Sequence, residues 1–176
     1  MSSKTVFQGR IIRVEVGQMQ FPHGKSAEFE VVHHPGGAAA VALDDDERVC
    51  LLRQYRPVAG EWIWELPAGK LEPNEAPLLT AQRELEEEAG LRAADWAPLG
   101  AVLSSPGIFT EVIHLFLARG LTSVAGNHEE HELIEVHWLP FSEALARARS
   151  GEILDAKTII GLFRAQAFVT EPEILT

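Results

Sequence analysis

Four glutamates fall within five residues, 84–88, near the end of a segment that predicts one short helix. At about 100° per residue, Glu84, Glu87 and Glu88 lie within roughly a 100° arc, and Glu86 points elsewhere. Carboxylates at this spacing repel one another, and at a helix C-terminus they also oppose the macrodipole. Divalent cations would remove both costs, and Mg²⁺ favours oxygen ligands, including substrate phosphates. The pattern indicates metal-assisted phosphate chemistry, with a solvated acidic helix face as the alternative.

Short flanking signals are expected to position this helix. Asn74 and Glu75 supply a polar cap and a first-turn acid, and Pro77 is tolerated so early because it needs no amide hydrogen bond there. Gly90 is the expected stop. Gly69 allows a close backbone approach, so that carbonyls of the preceding loop can face the metal ions.

The spacing between Gly69 and Leu91 resembles the signature of the Nudix hydrolases, which cleave a nucleoside diphosphate linked to another moiety. The matched positions are Gly69, Glu75, Arg83, Glu84, Leu85, Glu87, Glu88, Gly90 and Leu91. Strands placed around two or three helices independently predict an α/β layered domain. The resemblance makes this more specific, implying an α/β/α sandwich with a mixed β-sheet in which the signature forms a loop–helix–loop.

The resemblance also implies a ligand set for two or three Mg²⁺ ions, with Mn²⁺ as the alternative ion. The direct ligands expected from it are Glu84, Glu88 and the backbone carbonyl of Ala68. Glu87 is expected as an additional or water-mediated catalytic ligand. Arg83 and Glu75 are expected to hold the loop–helix–loop by ion pairing. Bound ions would neutralise the phosphates and lower the pKa of the attacking water.

The general base has to be sought elsewhere, because a carboxylate bound directly to Mg²⁺ is a poor proton acceptor. In ADP-ribose pyrophosphatases a glutamate-bearing loop before the last main strand supplies it, and HEEHELIEVHWLP is similar to that loop. The resemblance favours Glu130 as the base and Glu132 as a further metal ligand. Glu129 remains an alternative for either role.

Features outside the signature favour the ADP-ribose pyrophosphatase subgroup. Pro106 lies 16 residues beyond Gly90, and the stretches LLRQYRP, WELPAGKLE and GEILDAKTIIGLF also resemble that subgroup. The implied reaction is hydrolysis of the pyrophosphate bond of ADP-ribose, or a related nucleoside diphosphate sugar, to AMP and ribose 5-phosphate. GDP-mannose is the alternative substrate, and a non-catalytic nucleotide-sugar-binding module is the alternative of another class.

Four further residues are expected to contact the substrate. Arg56 is assigned to the diphosphate and Glu111 to the sugar. In related enzymes an N-terminal hairpin is exchanged across a homodimer and brings an aromatic residue and an acid to the base. Phe29 and Glu30 occupy comparable places, although ordinary amphipathic alternation of a strand explains them as well.

The expected organisation is an N-terminal hairpin region, 1–36, serving dimerisation, followed by a Nudix domain, 37–176. In the hairpin, residues 5–16 and 26–33 are predicted strands joined by a turn. The later predicted strands are 38–43, 48–55, 62–66, 97–103, 112–118 and 133–139, and the later helices are 141–150 and 155–169.

Composition narrows the class of protein. The 176 residues carry a net charge of -11 with 46% apolar residues, which fits one globular domain and argues against nucleic-acid binding. Cys50 is the single cysteine and lies in an apolar stretch, so a buried thiol is expected and an intrachain disulfide is excluded. No segment suggests a signal peptide or a membrane span, so cytoplasmic residence is the expectation.

Overall fold

The N-terminal region folds as a three-stranded antiparallel sheet in this computed structural model, which describes residues 3–126 and 133–170. Its strands are β1 (Ser3–Gln8), β2 (Arg13–Gln20) and β3 (Ser26–His33). The prediction of one strand over 5–16 was wrong, because the chain turns there and Gly9 N donates to Ile12 O at 2.9 Å. The predicted hairpin therefore has an additional strand.

A mixed four-stranded sheet forms the centre of the region that follows. Its strands are β4 (Gly37–Ala42), β7 (Ala68–Lys70), β8 (Leu91–Leu103) and β9 (Val112–Ser123), in the order β7-β4-β9-β8. Strand β4 runs parallel to β9, and the other pairs are antiparallel. Every residue of β4 is buried, as expected of a strand covered on both faces. The three-residue β7 was predicted as loop.

A second, antiparallel sheet contains β5 (Arg48–Arg56), β6 (Glu61–Glu65) and β10 (Ile134–Pro140), in the order β10-β5-β6. These strands confirm the predicted ones to within a residue or two. The turn before β5 is closed by Asp44, which accepts hydrogen bonds from the backbone and side chain of Arg48.

Three helices complete the described part of the chain: α1 (Pro77–Ala89), α2 (Phe141–Ser150) and α3 (Ala156–Thr170). One apolar cluster packs α2 and α3 against the sheets, and its members include Val41, Leu51, Leu66, Leu145 and Leu162. A second cluster lies beneath α1 and includes Ala40, Cys50 and Leu85. Helices thus cover both sides, and the α/β/α sandwich is confirmed.

The start of α1 differs from the prediction. Ala76 is the N-cap residue, with no side-chain capping bond, and Pro77 begins the helix. Asn74 instead adopts φ 65°, a left-handed conformation that asparagine tolerates better than most residues, so it shapes the preceding turn. Gly90 ends the helix in the left-handed conformation, as predicted. None of the helices in 3–126 and 133–170 is long and apolar enough to span a membrane.

Candidate metal and diphosphate site

Two glutamates of α1 rest directly on the short strand β7. Glu88, only 4% exposed, accepts a hydrogen bond from the Ala68 amide at 2.7 Å. The Glu84 carboxylate lies against Gly69, where a Cβ atom would overlap it. A side chain at position 69 would therefore force the Glu84 carboxylate to move.

A single guanidinium bridges three acids of this region. Arg83 donates through Nη1 to Glu84 at 2.7 Å and to Glu87 at 3.1 Å, and its Nε donates to Glu75 at 3.1 Å. Thr80 also donates to Glu75, at 2.8 Å. The hydrogen bonds from Arg83 are the main reason that the pKa of Glu75 falls to about 2. Arg83 thus neutralises part of the negative charge of the clustered carboxylates, and joins the turn before α1 to the glutamate face.

The donor set suits a hard divalent cation. Glu84 and Glu88 place carboxylate oxygens against the Ala68–Gly69 backbone, and Mg²⁺ is commonly held by one or two carboxylates plus waters and substrate phosphates. Over 3–126 and 133–170, no group of three or more His, Cys, Asp or Glu side chains is gathered closely enough to hold an ion. The fit therefore rests on these two carboxylates, backbone oxygens and ligands from outside the chain.

Most of the residues expected to bind or orient the metal ions are brought together. Ala68, Arg83, Glu84, Glu87 and Glu88 lie within one connected set of contacts between β7 and α1. Glu86, expected to point elsewhere, is paired with Arg92 at 2.8 Å. The expected base and further ligand, with their alternative, lie outside the described residues; they are Glu130, Glu132 and Glu129.

Arg56 has a buried partner that was not among the predicted site residues. Its Nε and Nη2 donate to the two carboxylate oxygens of Glu65 at 2.6 and 3.0 Å, and Glu65 is only 2% exposed. Lys157 pairs with the same carboxylate. Glu65 does carry a sequence signal, since an acid flanked by Trp64 and Leu66 in a predicted strand needs a cation if buried.

The other expected substrate residues lie on the N-terminal sheet or next to it. Phe29 is half-buried on β3 and meets Phe21 edge to face, with ring centroids 5.7 Å apart. Glu30 is exposed on the same strand. Glu111 pairs with His34 at 3.1 Å. The loop before Glu111 is bonded to β3 through the Val32 amide, which donates to Ile108 O at 2.8 Å.

The fold and the glutamate–arginine face define a class: α/β/α domains in which one helix sets carboxylates against the backbone of a short strand. The NUDIX domain family matches residues 33–158, and the chain belongs to this family.

Three of the related proteins carry different descriptions. The chain is 35% identical over 164 residues to a methanol dehydrogenase activator of Bacillus methanolicus, covering 92% of the chain and 89% of that protein. It is 38% identical over 160 residues to an ADP-ribose pyrophosphatase of Bacillus subtilis (strain 168), covering 90% and 86%. It is 37% identical over 156 residues to a GDP-mannose pyrophosphatase of Cronobacter sakazakii, covering 78% and 80%.

A solved structure described as an ADP compounds hydrolase is similar to this chain with a TM-score of 0.84. The match covers 98% of the chain and 94% of that structure at 21% identity. This likeness confirms the expected fold.

Proposed function

We propose that the chain is a Mg²⁺-dependent pyrophosphohydrolase that converts ADP-ribose and water into AMP and ribose 5-phosphate. The observation that carries the proposal is the placement of Glu84 and Glu88 against the Ala68–Gly69 backbone. Family membership and the relative described as an ADP-ribose pyrophosphatase support it.

The metal ligands in this proposal are Glu84, Glu88 and the Ala68 carbonyl, with Glu87 as an additional or water-mediated ligand. Two or three Mg²⁺ ions, or Mn²⁺ in their place, would supply charge neutralisation and an activated water when bound. Arg83 and Glu75 hold the glutamate face in register through their ion pair. Each member of the set thus has either a binding or an orienting role.

Proton removal is assigned to the acidic segment before β10. Glu130 is the proposed base and Glu132 a further metal ligand, with Glu129 as the alternative. A base that is not itself directly bound to the metal keeps its affinity for the proton of the attacking water.

Arg56 is the proposed diphosphate ligand. Glu65 accepts hydrogen bonds from Nε and Nη2 of Arg56. The Nη1 edge of the guanidinium is then the one that can donate to a phosphate oxygen. The side chain is 41% exposed, so substrate can reach it. The pKa of Arg56 is raised first by the hydrogen bonds to Glu65 and also by the charge of Glu88. This electrostatic interaction couples Arg56 to the glutamate face.

The N-terminal region, 1–36, is proposed as a dimerisation element attached to the Nudix domain, 37–176. Val6 and Phe7 of β1 are 54% and 53% exposed, and such apolar surface is better covered by a second copy of the chain. In the homodimer, Phe29 and Glu30 would serve the neighbouring site, and Glu111 would bind the sugar. Cytoplasmic residence completes the proposal.

A substrate panel with product identification tests this function. ADP-ribose, GDP-mannose, NADH and diadenosine polyphosphates are each incubated with the protein, with and without Mg²⁺. The expected result is Mg²⁺-dependent release of AMP and ribose 5-phosphate, with the highest kcat/KM for ADP-ribose.

Two other outcomes would replace the proposal. A higher kcat/KM for GDP-mannose would make the chain a GDP-mannose pyrophosphatase, the second candidate favoured by one of the relatives. Tight ADP-ribose binding without Mg²⁺-stimulated release of AMP would instead indicate a non-catalytic nucleotide-sugar-binding module.

A further inference from the structure

A buried charge network lies behind Arg56 and involves the start of α3. Glu65, at the end of β6, accepts both hydrogen bonds from Arg56, and Lys157 pairs with the same carboxylate. Lys157 Nζ also lies 3.1 Å from Asp155 Oδ1. Two cations and two carboxylates thus alternate along one chain of contacts.

The inner end of this network is fixed to the backbone. Asp155 precedes α3 and accepts a hydrogen bond from the Thr158 amide at 2.9 Å, which caps the helix. Thr158 Oγ1 in turn accepts a hydrogen bond from the Leu66 amide at 2.9 Å. Two residues further along, the Ala68 amide donates to Glu88. The segment 65–68 therefore joins the start of α3 to the glutamate face of α1.

Charge is retained within this network despite burial. Burial by itself lowers the pKa of Lys157, but the charges of Asp155 and Glu65 raise it above its ordinary value. Burial also raises the pKa of Glu65, and this effect is outweighed by Arg56 and Lys157, which lower it. Both groups are consequently ionised at neutral pH, and each restrains the other.

Exposure differs sharply along the network. The side chains of Glu65, Asp155 and Lys157 are 2%, 17% and 14% exposed, whereas Arg56 is 41% exposed. The network is thus shielded from solvent at the α3 end and exposed to solvent at Arg56. A free arginine side chain samples many rotamers, and restraining it beforehand lowers the entropic cost of binding a ligand.

We propose that Glu65 and Lys157 are positioning residues, which hold the Arg56 guanidinium in the orientation that presents its Nη1 edge to the diphosphate. The inference rests on the proposed role of Arg56 in binding substrate. Lys157 does not touch the substrate; it restrains the carboxylate that restrains Arg56.

A double-mutant cycle tests this coupling. Lys157→Met and Arg56→Ala are made singly and together, and kcat and KM for ADP-ribose are measured for each. Lys157→Met should lower kcat/KM about 10- to 100-fold, mainly by raising KM, because a misplaced ligand group weakens substrate binding. In the Arg56→Ala background the same change should alter kcat/KM less than about twofold. Equal losses in both backgrounds, or no loss in either, would overturn the inference.

Lys157→Arg serves as the conservative control, since it keeps the positive charge beside Glu65. It should recover most of the loss seen with Lys157→Met. Recovery no better than with Met would show that charge at position 157 does not act on Arg56.

An NMR measurement on the wild-type chain keeps the inference testable if the variants fail to fold. The Arg56 Nε–H resonance, assigned by comparison with Arg56→Lys, should be sharp and shifted from that of free arginine before substrate is added. A resonance averaged to the free-arginine position would overturn the inference whatever the activity. Absence of ADP-ribose hydrolysis by the wild type would instead overturn the proposed function, and a restrained Arg56 would still be seen.

Discussion

Gly69 of β7 and Glu84 of α1 are packed so closely that no side-chain carbon fits between them. The absence of a side chain at position 69 therefore leaves the space that the Glu84 carboxylate occupies. Because Glu88 accepts a hydrogen bond from the neighbouring Ala68 amide, two acids of the face are fixed to consecutive backbone units.

Gly69→Ala should disturb the metal site more than the fold. The added methyl group would push the Glu84 carboxylate away, so we expect the half-saturating Mg²⁺ concentration for activity to rise about 10-fold or more. The free energy of unfolding should fall by only about 1 kcal/mol, because the group displaced is the end of a flexible side chain. Gly107→Ala is the matched control, because nothing lies within 4 Å of a Cβ atom built there. An unchanged Mg²⁺ response in Gly69→Ala would contradict the proposed role of Glu84.

Acid should weaken the fold partly through Glu75. Its pKa is about 2 in the folded protein, against an ordinary value of 4.5, chiefly because Arg83 donates to it. A carboxyl group with a lowered folded-state pKa stabilises the fold above pH 4.5, and this contribution is lost as the pH falls towards 2. Glu75→Gln should lower the free energy of unfolding by about 1 kcal/mol at pH 7, allowing for solvent screening.

The same variant should lose less stability on acidification than the wild type does. Denaturant unfolding at pH 7, 4 and 2.5 measures the difference, and Glu72→Gln, an exposed neighbour on the same turn, serves as control. Parallel stability curves for wild type and Glu75→Gln over this pH range would show that the ion pair with Arg83 contributes nothing.

Cys50 should be unreactive in the folded chain. It is fully buried in β5, and burial, together with the charge of Glu88, raises the pKa of its thiol to about 12. A thiol reagent such as dithionitrobenzoate should therefore label the native protein negligibly at pH 8, and label one thiol per chain after unfolding. Cys50→Ser provides the blank, and rapid labelling of the native chain would contradict the packing beneath α1.

Local patterns predicted the part of the site that is local in sequence. The glutamates of α1 follow helical periodicity, and Gly90 ends the helix by the backbone conformation that glycine allows. Asn74 was predicted to cap α1, but asparagine favours left-handed turns as well as helix caps. In the structure Asn74 lies in a left-handed turn before the helix. Strand β7 is too short for any periodicity to indicate it.

The support behind Arg56 was not predictable in this way. Glu65 and Lys157 are 92 residues apart and meet only because α3 packs beside the end of β6. Periodicity assigns each to its element without specifying which elements are neighbours. A buried acid in a strand indicates that a cationic partner is needed, but it does not identify that partner.

Glu88 and its neighbours on α1 are proposed to bind the metal ions that assist the attack of water on the substrate. The most direct test compares Mg²⁺-dependent AMP release from ADP-ribose by Glu88→Gln and Glu86→Gln, with thermal unfolding of each. Glutamine can still accept the Ala68 hydrogen bond, so Glu88→Gln should fold while kcat falls about 10³-fold or more. Glu86→Gln, which loses only its pairing with Arg92, should stay within about threefold of wild type. A folded Glu88→Gln variant with wild-type turnover would contradict the account.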